Sequence, residues 1–183
     1  MKIIIKRSND VFLFMSAGEV LYKGILARNG LRTLRQLYNN ENKLISEIQF
    51  RIEFPLKPTN IINLASYQTF TLKYTNIFKP KYICNVINDT YDIIPHKGYY
   101  TSIFKNDIQI GYFEDSKISV FGNETIILYL NKLDINSQNL ICSFALALKC
   151  SFEDNYSTGS LNLGNWGFEL KKFDSTWHPT DLF

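Results

Sequence analysis

No stretch of this chain is apolar for long enough to cross a bilayer as a helix. Its longest mixed apolar run is residues 140–152, LICSFALALKCSF, with Lys149 inside it. At about 1.5 Å per residue that run would be roughly 20 Å long, whereas a span takes about 20 apolar residues. Cysteine is scarce: there are three, Cys84, Cys142 and Cys150. An odd number without metal-ligand spacing excludes a disulfide framework and argues against a zinc site. They read as small buried hydrophobes. Histidine is limited to His96 and His178, neither with a Cys or a second His at ligand spacing. Without an oriented partner, neither reads as a general base. There is no G-x-S-x-G, and Ser157-Thr158-Gly159-Ser160 lacks the glycine pattern of a phosphate loop. No catalytic residue, metal ligand or cofactor is therefore expected. The N-terminus, Met1-Lys2-Ile3-Ile4-Ile5-Lys6, is too short in apolar residues for a signal-peptide core. The expectation is a reduced, cytoplasmic protein, at most peripheral at a membrane. The sequons at Asn88, Asn123 and Asn155 then read as chance matches. No low-complexity linker or long charge run marks a domain boundary.

What is present suits one globular domain. The chain has 183 residues, 45% of them hydrophobic and 20% charged, enough to bury a real core. Tyr (11) and Phe (14) are plentiful, and aromatics favour half-buried pleated surfaces. The net charge of +3 is too mild for a nucleic-acid footprint, so no nucleic-acid partner is expected.

Turn clusters punctuate most of the sequence. Ser8-Asn9-Asp10 and Ser16-Ala17-Gly18 break residues 1–24 into short strands, and Gly24 and Gly30 bracket a further connection. Residues 31–38 carry a helix-like stripe at Leu31, Leu34 and Tyr38. They run into the Asn-rich 39–42, and 44–54 alternate clearly, so the pair reads as a hairpin that Pro55 and Pro58 terminate. Segments 69–74, 82–87 and 91–94 read as strands. Segments 99–104, 108–113, 117–121 and 125–130 read as a four-strand meander. Then comes the apolar run, a helix over 137–152 with Asp134, Asn136 and Ser137 as candidate N-caps. Leu140, Phe144, Ala147 and Leu148 would line one face, and Ile141, Ala145 and Phe152 much of the rest. A helix apolar all round must be enclosed. Residues 154–183 form a tail in which 161–170 alternate like an added strand or arm.

This order, a strand-rich body followed by a meander and one apolar helix, resembles the tubby C-terminal-like superfamily, including its LURP-one-related and phospholipid scramblase members. The resemblance rests on 106–111 (NDIQIG), 122–125 (GNET), 134–152 and the early hairpin 37–45. It implies a mainly β fold: a closed antiparallel barrel of about twelve strands around one buried C-terminal helix, here residues 1–153. It also implies a binding or scaffold domain rather than an enzyme, with an anionic lipid headgroup or a protein as partner; high Asn, Ile, Lys and Tyr usage suggests an AT-rich bacterial genome. The alternative is a carrier of a small apolar ligand inside the barrel. The scramblase calcium segment corresponds to 131–136, which holds one carboxylate, Asp134, too few for calcium.

The candidate ligand-binding residues are basic. Arg28, Arg32 and Arg35, near Lys23, form the densest cluster, and Lys79 and Lys81 flank Pro80 in a second. Either could hold phosphate oxygens, against the plainer reading of a solvated exterior. The adjacent carboxylates Glu114-Asp115 and Glu153-Asp154 read as solvated turn residues. Trp166 and Trp177 read as packing the tail onto the barrel.

Overall fold

Alternation of apolar and polar side chains dictates sheet with one buried face, and the computed structural model has that form. It describes residues 1–8, 10–29, 32–53, 57–66, 68–76, 79–116, 118–120, 125–149, 159–161 and 169–180. The strands are β1 (Lys2–Ser8), β2 (Val11–Ser16), β3 (Glu19–Asn29), β4 (Arg32–Asn39), β5 (Leu44–Glu53), β6 (Lys57–Leu64), β7 (Thr69–Asn76), β8 (Lys79–Val86), β9 (Asp89–Pro95), β10 (Tyr100–Lys105), β11 (Ile108–Asp115), β12 (Ile118–Val120), β13 (Thr125–Leu130) and β14 (Gly159–Leu161). From β1 to β11 each strand pairs antiparallel with the next. β11 then pairs with β13, and β13 returns to β1 with Ile3 opposite Leu128, closing the barrel. Closure leaves no open edge. Two hairpins are as tight as a hairpin can be. Ala17 and Gly18 (φ 50° and 87°) and Asn106 and Asp107 (φ 49° and 65°) are two-residue turns with both φ positive, matching the twist of the flanking strands.

Several sequence expectations need correction. The 117–121 strand is β12, and it leaves the barrel to pair with β14 in a separate two-stranded ribbon. The meander is thus three barrel strands with an excursion. β6 had no sequence counterpart, and Pro58 lies within it, opposite Ile52. Gly24 is not in a connection but in mid-β3, opposite Leu37. Residues 32–39 are strand β4 and pair with β5, the hairpin that the sequence suggested. The helix, α1 (Ile135–Leu148), starts two residues earlier than expected and closes at Lys149, whose N–H donates to the Ala145 carbonyl. Cys150 and Phe152 lie outside the described residues.

Asp134 is the N-cap. It accepts from the amides of Asn136 (2.9 Å) and Ser137 (3.0 Å) and from the Ser137 hydroxyl (2.6 Å). The Ser137 hydroxyl first, then these amides, hold its carboxyl below the usual range. Asp134→Ala is expected to cost about 1 kcal/mol, read as a melting temperature lower by roughly 2–4 °C. Because the folded pKa is depressed, the carboxylate's contribution is complete above its ordinary value near 3.9 and is lost as pH falls through the folded value.

Every residue from Leu140 to Ala147 is buried. That is about two turns with no side facing water, so the helix runs through the barrel rather than along it. Phe144 meets Tyr91 edge-on at 5.7 Å. A Cβ on Gly24 would stand 2.7 Å from Leu146 Cδ1, so glycine lets the helix approach the β3 wall. Polar groups along the helix pair: Ser143 Oγ lies 2.7 Å from Ser46 Oγ and donates to Asn139 O, while Tyr22 Oη donates to Asn139 Oδ1. Where the helix ends, Lys149 Nζ donates to Asp115 Oδ2 (2.7 Å) and Thr101 Oγ1 (3.0 Å). Asp115 is therefore half-buried and ion-paired, not a solvated turn residue.

Candidate functional site

Antiparallel neighbours place alternate turns at opposite ends of a barrel. The β2–β3, β4–β5, β6–β7, β8–β9 and β10–β11 turns share the end where α1 enters. The β1–β2, β3–β4, β5–β6, β7–β8 and β9–β10 turns form the opposite, distal rim. All five candidate basic residues belong to the distal half. Arg28 and Arg32 flank the β3–β4 tip, opposite Thr33 and Asn29 respectively. Lys79 opens β8, opposite Asn76. The side chains of Arg28, Arg32 and Lys79 lie outside the described set. Lys81 is not free for a ligand: its ammonium pairs with Asp92.

Arg35 is not on the exterior. It shares the inward face of β4 with Leu37, pairs with Leu26 and Ile48, and is 8% exposed. Its Nη1 donates to Asn60 Oδ1 at 3.5 Å. The period of two sends its side chain inside whatever its charge.

The topology adds cations that the linear sequence scatters. Arg51, Lys57 and Lys97 lie on the same rim, and Arg51 sits between Phe50 (45% exposed) and Ile52 (62% exposed). The entry end is mixed: Glu19, Glu41, Asp89, Asp107 and Asp134 lie at or near its turns together with Lys2, Lys43, Lys105 and Lys132, and Lys105 pairs with Asp89. The signal was present in the sequence as basic residues flanking every second turn. It becomes readable once the strands are known to be consecutive neighbours.

A second organised surface lies on the outer wall of β9–β11, where residues 169–180 cross it. His96, expected to be a turn residue without a partner, is 1% exposed. Its Nδ1 lies 2.6 Å from the Lys171 carbonyl and its Nε2 2.8 Å from Ser102 Oγ. The tautomer that satisfies both carries its proton on Nδ1 and donates to Lys171 O, while the Ser102 hydroxyl donates to Nε2. Glu169 Oε1 stands 3.6 Å from Nδ1 and accepts the Lys97 amide at 3.1 Å. Phe173 stacks on Tyr100 at 4.2 Å, and Tyr112 meets both Phe173 and Trp177 edge-on. Trp177 Nε1 donates to Gln109 O, and Thr180 N to Asn131 Oδ1. Trp177 therefore packs the tail onto the barrel, as expected. Trp166, Glu153, Asp154, residues 157–158 and most of the alternating 161–170 lie outside the described residues.

Burial pushes the Cys84 thiol up to about 12 and raises Cys142 as well, which keeps both protonated and inert. Among the described residues, no three His, Cys, Asp or Glu side chains group as a metal site, and no helix is long and apolar enough to cross a membrane. No family model, curated protein or solved structure matches this chain.

Proposed function

We propose that this domain is a non-catalytic binding module whose distal rim meets an anionic surface of lipid headgroups. The observation that carries this reading is the gathering of cations at the distal turns (Arg28, Arg32, Arg51, Lys57, Lys79 and Lys97), where the entry turns carry a near-balanced mix of both signs. Such an asymmetry orients a protein against a negative surface before contact. Phe50 and Ile52, exposed near the distal end of β5 on the face opposite to that of Arg51, support a bilayer surface over a soluble anion, since they offer apolar area at the same rim. The carrier alternative needs free volume beside α1, and the approach of Leu146 to Gly24 leaves no room for it at that point of the β3 wall. The helix-threaded barrel supports kinship with the tubby C-terminal-like superfamily, proposed on architecture alone.

Co-sedimentation with vesicles tests this. The protein is expected to bind phosphatidylglycerol-containing vesicles and to ignore pure phosphatidylcholine. Binding should weaken as salt rises, because screening shortens the reach of the rim charge. Arg28→Ala with Arg32→Ala should lower the partition about 30-fold, at about 1 kcal/mol per cation near an anionic surface. Lys43→Ala with Lys132→Ala, at the entry end, should leave it unchanged. Equal loss from both pairs, or no binding to anionic vesicles, would sink the assignment.

A further inference from the structure

The tail segment 169–180 lies against the barrel wall along its described length, from Glu169 beside Lys97 to Thr180 on Asn131. Its aromatic contacts form one continuous row, with Phe173 between Tyr100 and Tyr112 and Trp177 on the far side of Tyr112. At one end of this row the strap and wall are joined through a single buried imidazole. One ring nitrogen of His96 is spent on the strap backbone and the other on Ser102 of β10. We propose that residues 169–180 form an acid-released strap, with His96 as the latch that holds it.

The geometry suits a neutral ring and penalises a charged one. An imidazolium has two N–H donors and no acceptor. On charging, the Ser102 hydroxyl could no longer donate to Nε2 and would have to turn its proton elsewhere in a buried site. The ring is 1% exposed, so a charge there is removed from water. Two charges act on it, both from the strap: Glu169 favours protonation and Lys171 opposes it. Of the elements packed on it, β9 brings Ile94 and β10 brings Ser102 and Tyr100, while the β11 acid on this face, Glu114, acts on the phenols of Tyr100 and Tyr112. Burial is the largest influence, and the docked ring titrates below its ordinary value.

The sign follows by linkage. When the strap leaves, the His96 ring is returned to water and regains its ordinary affinity for a proton, so protons favour the released strap. Docking is complete above about pH 6.5, the ordinary histidine value, and weakens as pH falls toward the depressed one. Release would bare the rings of Tyr100 and Tyr112 while the barrel, closed by its own strands, stays intact. This does not depend on what the distal rim binds.

The test uses the full chain with Trp166→Phe and His178→Asn, leaving Trp177 as the one indole and His96 as the one imidazole. Between about pH 7.5 and about pH 5, the window histidine serves, Trp177 emission should move to the red and become open to acrylamide quenching. The far-UV circular dichroism of the barrel should hold. His96→Asn in the same background retains an N–H for the Lys171 carbonyl and should abolish the response. An emission that stays flat, a shift that survives His96→Asn, or loss of β signal at the same pH would overturn the proposal. If His96→Asn does not fold, the His96 ring proton can be followed by NMR in the His178→Asn chain. A midpoint at or above about 6.5 would also overturn it, and one below supports it.

Discussion

Phe144→Asp is expected to yield no soluble, cooperatively melting protein. Phe144 is 0% exposed, at the middle of the buried stretch of α1, with Tyr91 edge-on at 5.7 Å. A carboxylate there has lost its water and found no cation, a cost of several kcal/mol. The whole stability of a domain is about 5–15 kcal/mol, so one substitution removes most of it. Soluble fraction and a thermal melt read the outcome, with Phe144→Leu as the control that keeps an apolar side chain of similar reach and loses about 1 kcal/mol. A soluble Phe144→Asp protein with a sharp melt would mean that position 144 faces water, and the threaded barrel would be wrong.

Gly111→Ala is expected to be the most damaging single-methyl change in the barrel wall. The added Cβ would stand 2.5 Å from the Tyr129 carbonyl oxygen and 2.5 Å from Leu130 Cδ2. The constraint is space rather than dihedral angle, because Gly111 is absent from the positive-φ set. Overpacking costs about 1–3 kcal/mol when side chains can yield. Here one obstacle is backbone in the β11–β13 ladder, so the cost should reach the top of that range, a fall of roughly 10 °C in melting temperature. Gly24→Ala is the comparison: its nearest obstacle, 2.7 Å away, is the tip of the Leu146 side chain, which can turn aside. If Gly111→Ala melts with the parent protein, the β11–β13 register is not as described.

The helix and many of the strands were legible because each rests on a pattern that survives without neighbours, whereas closure into a barrel was expected only from the family resemblance. Residues 140–147 are apolar at every angle, and Asp134 stands where a cap is needed. The strand at 125–130 and those at 100–105 and 108–115 alternate between turn clusters. β6 was not legible, because Pro55 and Pro58 suggest an end to sheet, yet Pro58 is accommodated opposite Ile52. β12 reads like its neighbours, and nothing local says that its partner is β14 rather than β11 or β13. Arg35 was misplaced for a related reason. Charge type suggests an outward side chain, whereas register turned this one inward beside Asn60. His96 looked isolated because its partners, Glu169 and Lys171, lie some 75 residues downstream.

The seam between β1 and β13 has a kinetic consequence. Leu128 must find Ile3, and the amino group of Met1 donates to the Leu130 carbonyl across a sequence separation of 129. Until β13 has been synthesised the barrel cannot close, so any sheet formed by the earlier strands has a bare edge at β1, and the greasy rod that will plug it is still unsynthesised. High contact order of this kind places refolding in roughly the millisecond-to-second range. The vulnerable species for association is therefore the unclosed sheet, and a chaperone that shields the exposed edge of β1 would raise yield without changing the stability of the finished protein.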